Sequence, residues 1–142
     1  MKTKRPLFLP ILLAAGFGIT SLMAGNETAK KEALESAEAW LELVDTGEYA
    51  KSWEAAAKYF RDAVTEEQWK QALGSVRTPL GKVLSRKLKS KQYATSLPGA
   101  PDGEYVVIQF QTSFENKKES VETITPMREK DGNWGVSGYF IK

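Results

Sequence analysis

Asp45 to Phe60 reads DTGEYAKSWEAAAKYF, and the fold turns on how this stretch is divided. Upstream of it, Ala33, Leu34, Ala37, Trp40, Leu41 and Val44 recur at spacings of three and four, which places them on one face of a helix. Gly47 can adopt the left-handed conformation that closes a helix at little cost. Downstream, Tyr49, Trp53, Ala56, Ala57, Phe60 and Val64 resume the same period. The stretch is therefore a corner between two amphipathic helices. It sets Trp40 and Trp53 on facing apolar stripes, where they would seed a core.

The chain on either side extends this reading. The first helix is expected to begin after the short polar segment Gly25 to Ala29, with Thr28 as its cap, and to run to Val44 or Asp45. The second covers Ala50 to Ala63. The third opens on Thr65 followed by Gln68, a capping box, with Val64 and Trp69 placed as a hydrophobic staple and Glu66 and Glu67 in the first turn. It should end near Thr78, because the residue before Pro79 is biased away from helix.

From Gly81 onward the apolar period shortens to two. Lys82 to Leu97 alternates weakly, with Ser85, Lys87, Lys89, Lys91 and Tyr93 against Leu84, Arg86 and Leu88. LPGAPDG, Leu97 to Gly103, is a connection. Glu104 to Phe114 is the clearest strand, with Val106, Ile108, Phe110, Thr112 and Phe114 on one face. A third strand runs from Ser120 to about Lys130 and carries Pro126, which implies a bulge or an edge position. Asp131 to Asn133 make the last turn before a closing strand, Trp134 to Ile141. Helices segregated ahead of strands imply an α+β domain: three helices packed on a curved, four-stranded antiparallel meander.

Composition removes whole classes of chemistry. The sequence has neither histidine nor cysteine. It therefore offers no imidazole base, thiolate nucleophile or disulfide, and lacks the usual ligands of zinc, copper, haem and iron–sulfur groups. No cofactor or metal is expected. No G-x-S-x-G elbow or phosphate-binding glycine loop occurs, and the carboxylates show no hydrolytic pairing.

Lys2, Lys4 and Arg5 precede the apolar run Leu7 to Ile19, and Ala24 suits a cleavage site, so residues 1–24 read as a cleaved signal peptide. An uncleaved N-terminal membrane anchor is the alternative, weakened by Pro10, Gly16 and Gly18. Residues 25–142 would then form one exported domain, periplasmic or secreted. Removing the leader lowers Lys plus Arg from 20 to 17 against 18 acids, so the net charge becomes −1 instead of +2. A nucleic-acid partner thereby loses its simplest support. The run Arg77, Lys82, Arg86, Lys87, Lys89 and Lys91 reads as a solvated strand whose lysines discourage edge pairing, with an anionic ligand or membrane surface as the alternative. Tyr105, Gln109, Glu122 and Tyr139 are the candidate ligand-binding residues, since the strand register could aim them between helices and sheet.

The motif W-L-x-L-V-D-x-G-x-Y-x-x-S-W (Trp40 to Trp53) is followed by R-x-P-L-G (Arg77 to Gly81), L-P-G-A-P-D-G-E-Y-V-V (Leu97 to Val107) and D-G-N-W-G-V-S-G-Y (Asp131 to Tyr139). This pattern, spanning Ala33 to Ile141, resembles the bacterial exported domain-of-unknown-function family 4019. The resemblance implies a nuclear-transport-factor-like, cystatin-like cone, a plan shared with ketosteroid isomerases and polyketide cyclases and often dimeric through its sheet. It carries over no catalytic residue, and a fold alone does not assign an activity. Three readings follow. One is a non-enzymatic binding or interaction module taking a small ligand or an exported protein. The second is a protein–protein scaffold or homodimer formed through the sheet face. The third, less favoured, is an isomerase- or cyclase-type pocket enzyme built on tyrosine and carboxylate.

Overall fold

The computed structural model describes residues 8–142, with side chains from Asn26 onward. Its elements are α1 (Phe8–Asp45), α2 (Tyr49–Glu54), α3 (Lys58–Ala63), α4 (Glu66–Leu80), β1 (Val83–Ala94), β2 (Tyr105–Phe114), β3 (Lys117–Arg128) and β4 (Trp134–Ile141). The strands form one antiparallel meander in the order β1-β2-β3-β4, so the α+β plan of helices followed by a four-stranded sheet holds. The leader expected over residues 1–24 lies outside the residues with described side chains.

On α1 the expected stripe is the buried one: Ala33, Ala37, Trp40, Leu41 and Val44 are all buried. The helix does not begin at Thr28. It is continuous through residues 25–29, and buried Ala29 extends the stripe by one turn. Gly47, at φ 80°, ends the corner as the sequence implies, and Glu48 N–H donates to the Leu43 carbonyl at 2.9 Å.

The helix expected over Ala50 to Ala63 is two helices, broken at Ala55 to Ala57. Three alanines are the best local helix formers available, so the break comes from elsewhere in the chain. Ala57 N–H donates to the Val136 carbonyl of β4 at 2.9 Å, and Lys58 N–H donates to the Glu129 carboxylate at 2.7 Å. Ala56 and Ala57 are buried beneath these bonds. The new N-terminus at Lys58 is thus capped by a side chain 71 residues away.

On α4 the capping box forms on both sides: Thr65 Oγ1 accepts from Gln68 N–H at 3.2 Å, and Gln68 Oε1 accepts from Thr65 N–H at 3.0 Å. The helix does not stop at Thr78 but runs through Pro79 to Leu80. Asn116, from the β2–β3 hairpin, stabilises this extra turn. Its side-chain amide donates to the Pro79 carbonyl and its backbone N–H to that of Leu80, each at 2.9 Å.

In the sheet, β2 has the expected face, with Val106, Ile108, Phe110, Thr112 and Phe114 all buried. β1 departs from simple alternation. A bulge between Leu88 and Ser90 reverses parity, so Arg86 and Leu88 share the helix-facing side with Lys91 and Tyr93, while Lys87, Ser90 and Gln92 point outward. The edge alternative for Pro126 does not hold. β3 pairs on both sides, and Pro126 sits at a bulge opposite β4 between Thr125 and Pro126. That bulge shifts β4 so that Val136 and Tyr139 both face the helices.

Trp40 does not meet Trp53. It packs against Trp69 of α4 with ring centroids 6.0 Å apart, and edge-on against Tyr139 at 5.3 Å. Trp53 is half-buried at the rim, where its indole N–H donates to the Val64 carbonyl at 2.7 Å. Ser52 ties the tryptophans together. Its carbonyl accepts from Trp40 Nε1 at 2.8 Å, and its hydroxyl accepts from Trp69 Nε1 at 2.9 Å.

Candidate functional site

A chain of charged groups crosses the helix-facing side of the sheet. Asp45 closes α1, and its Oδ1 accepts from Arg77 Nη2 of α4 at 2.9 Å. The same carboxylate accepts from Arg86 of β1 at 2.7 and 3.0 Å. Arg86 then donates through Nε to Glu122 Oε1 at 2.7 Å and through Nη2 to Oε2 at 3.2 Å. The fully buried Glu122 carboxylate also accepts from Thr112 Oγ1 at 2.5 Å and from the Tyr139 hydroxyl. Two arginines and two carboxylates balance in charge, which lets the cluster sit against the core.

Electrostatics follow from this packing. Burial alone would raise the Asp45 carboxyl, but hydrogen bonds and charge from Arg86, then Arg77, outweigh it and hold the group below its ordinary value. Burial would lower Arg86, yet its bonds to Asp45 and Glu122 raise it. Tyr139 is pushed well up, first by burial and then by the charge and hydrogen bond of Glu122. Arg77 is 6% exposed and its guanidinium lies over the Phe114 ring at 5.0 Å, a cation–π contact, while its Nε and Nη1 lack hydrogen-bond partners.

The four candidate residues from the sequence separate into two pairs. Glu122 and Tyr139 meet in the cluster. Tyr105 and Gln109 alternate with the core residues of β2 and lie on the opposite face. Tyr105 is buried there, with its hydroxyl donating to the Pro101 carbonyl at 2.5 Å, which pins the LPGAPDG loop. Gln109 bridges Thr123 and Ser90 at 3.3 and 3.4 Å. Sequence reasoning missed Asp45 and the inward role of Arg86, which it placed in a solvated basic run. The available signal was Arg86 standing between Leu84 and Leu88 at the apolar phase of β1.

Glu122 accepts four hydrogen bonds, which fills the capacity of a carboxylate. The Tyr139 ring, however, reaches beyond the cluster. It helps line a groove of about 230 Å³ between α4 and β4, with Trp69, Leu73 and Val76 on the helix side and Phe140 and Ile141 on the strand side. Val76 is 47% exposed and Phe140 59%. A second hollow, of about 450 Å³, lies between Lys30 on α1 and Lys91 to Ala94 on β1. It is wider and more polar, its Lys30 ammonium is paired with Glu27 at 3.4 Å, and one wall is Asn26, the first described side chain.

A family profile described as protein of unknown function (DUF4019) matches residues 36–139, well over half of the chain. The chain belongs to this family. The DUF4019 match runs from Ser36, whose hydroxyl donates to the Trp134 carbonyl at 2.7 Å, to Tyr139, and so takes in the whole charged cluster and most of the α4–β4 groove. A search of curated proteins returned no match to this DUF4019 chain.

Proposed function

We propose that this DUF4019 chain is a non-enzymatic binding module of the nuclear-transport-factor-like type, exported from a bacterial cell after loss of its leader, with the α4–β4 groove as its site. The observation that carries the reading is the groove itself: an apolar hollow bounded by Trp69, Leu73 and Tyr139 and opening onto exposed Val76 and Phe140. The polar groups beside it serve structure. Glu122 and Tyr139 are bound to each other and Glu122 also to Arg86 and Thr112, which leaves neither poised as an acid or base toward the groove. That arrangement weighs against the isomerase or cyclase reading.

Association through the sheet face has less support. The outward side chains of the two central strands mix Gln109, Gln111 and Thr123 with half-buried Val107, Val121 and Met127, so apolar groups there are interrupted by polar ones. Among the exposed large hydrophobic residues described, Phe140 belongs to that side, at the rim of the groove. The test is titration of the protein with anilinonaphthalene sulfonate while amide and indole NMR signals are followed. Shifts confined to Trp69, Val76 and Tyr139 to Ile141 are expected, and a response spread over the sheet face would refute the site. Export is tested by N-terminal sequencing of protein recovered from a bacterial envelope fraction, with Gly25 as the expected first residue.

A further inference from the structure

We infer that the groove takes an extended peptide, which pairs with β4 as a fifth strand. The inference rests on the groove being the binding site and adds what occupies it. The two edges of the sheet differ. β1 is defended by two register shifts and by exposed Lys87 and Lys89, devices that discourage strand pairing. β4 has one register shift, at Ser137 opposite Thr125 and Pro126, but from Gly138 to Ile141 it pairs regularly and carries no charged side chain.

The phase of the β3–β4 ladder shows which backbone groups are free to pair. Val121 and Lys142 exchange two backbone hydrogen bonds, at 3.0 and 2.9 Å. Antiparallel ladders alternate, so Phe140 is also directed at β3, and the N–H and C=O groups of Tyr139 and Ile141 point away from it. Both residues line the groove on its strand side, with Phe140 between them. Further back, the edge is already used, because the Val136 carbonyl accepts from Ala57 N–H.

The open edge is therefore about five residues long, on the order of 17 Å at about 3.4 Å per residue. A stable homodimer buries about 800 Å² on each partner, and this short edge with its narrow groove falls well below that. A strand of four to six residues fits it. Its main chain would bond to Tyr139 and Ile141, and every second side chain would enter over Trp69 and Leu73 opposite the edge. None of the groove-lining residues is charged, so the side chains that enter should be uncharged and apolar.

The experiment titrates the full chain with a positional-scanning library of acetylated, amidated hexapeptides and follows amide and indole NMR signals. Pools fixed with valine, isoleucine or leucine should shift Tyr139, Ile141 and the Trp69 indole. The best sequence should lose at least ten-fold in affinity on N-methylation at alternate residues but not at the intervening ones, and at least ten-fold with Val76→Asp. Peptide binding indifferent to N-methylation would overturn strand pairing. If no pool binds while anilinonaphthalene sulfonate still shifts the groove, the peptide inference fails and the groove reading stands; if neither binds, both fail. Dimerisation in sedimentation with protection of the Tyr139 and Ile141 amides would make a second copy the occupant and also overturn the inference.

Discussion

Arg86 on β1 and Glu122 on β3 join hands across the intervening strand, their closest nitrogen and oxygen 2.7 Å apart, with the Arg86 guanidinium 6.0 Å above the Phe110 ring of β2. The Glu122 side chain is fully buried and that of Arg86 is 17% exposed. Asp45 on the other flank of Arg86 extends the link to the end of α1, so the Arg86 guanidinium ties that helix end to the sheet.

The pair should behave as a buried ion pair whose halves depend on each other. Glu122→Ala leaves Arg86 under-compensated beside the core and should cost about 3–5 kcal/mol in urea unfolding. Changing Arg86 and Glu122 together to leucine should cost much less than the sum of the single changes, because no lone charge remains buried. Additive losses in the double-mutant cycle would mean that the two side chains do not act as a unit.

The same cluster fixes how stability depends on pH. Asp45 has a folded-state value below its unfolded one, so its contribution is present above the unfolded carboxylate value of about 3.9 and is lost as pH falls through the lower folded value. Tyr139 is raised, so its contribution is full below about pH 10 and is lost as pH climbs beyond that. Urea midpoints measured across pH should show a shallower acid decline for Asp45→Asn and a shallower alkaline decline for Tyr139→Phe. Curves that stay parallel to the unmodified protein would remove these groups from the titration.

The parts of this fold that were legible in the sequence are those that local chemistry decides. Thr65 and Gln68 cap α4 because both partners lie within one turn, and β2 shows its buried face because every second residue from Val106 to Phe114 meets the same core. The break at Ala55 to Ala57 was not legible, since it depends on the Val136 carbonyl and the Glu129 carboxylate, more than seventy residues away. The bulge at Leu88 has the same character: one extra residue in β1 moves Lys91 to the inner face, and no local residue announces it. Glu122 and Tyr139 could be chosen as inward-facing polar residues, and the apolar phase of Arg86 between Leu84 and Leu88 was a signal that went unused, but Asp45 had none, because a strand register and a helix end had to coincide first.

Trp40 and Trp53 provide a direct comparison of two tryptophans that look equivalent in sequence. Trp40 is 3% exposed, touches two aromatic rings and bonds the Ser52 carbonyl, so Trp40→Ala should cost about 3–5 kcal/mol. Trp53 is half-buried, and Trp53→Ala should cost about 1–3 kcal/mol, much of it from leaving the Val64 carbonyl without its donor. Chemical denaturation of the two variants checks the order, and equal losses would place Trp53 in the core after all.

Gly135 and Gly138 stand three residues apart on β4 and should respond oppositely to the same methyl group. A Cβ on Gly135 would lie 2.9 Å from Ala57 Cα and 3.0 Å from both Ala57 N and the Glu129 carboxylate. These atoms belong to Ala57 and Glu129, the residues that hold the break between α2 and α3, and two of the three are backbone atoms, which cannot swing aside. Gly135→Ala should therefore cost about 1–3 kcal/mol by overpacking and should also loosen the Ala57–Val136 hydrogen bond. At Gly138 a Cβ meets nothing within 4 Å, so Gly138→Ala should stay within about 0.5 kcal/mol of the unmodified protein. Urea unfolding gives the stability difference, and hydrogen exchange at the Ala57 amide reports the bond itself. Faster exchange at Ala57 in Gly135→Ala alone would show that this close approach of β4 holds the corner open, whereas equal exchange in both variants would remove Gly135 from that role.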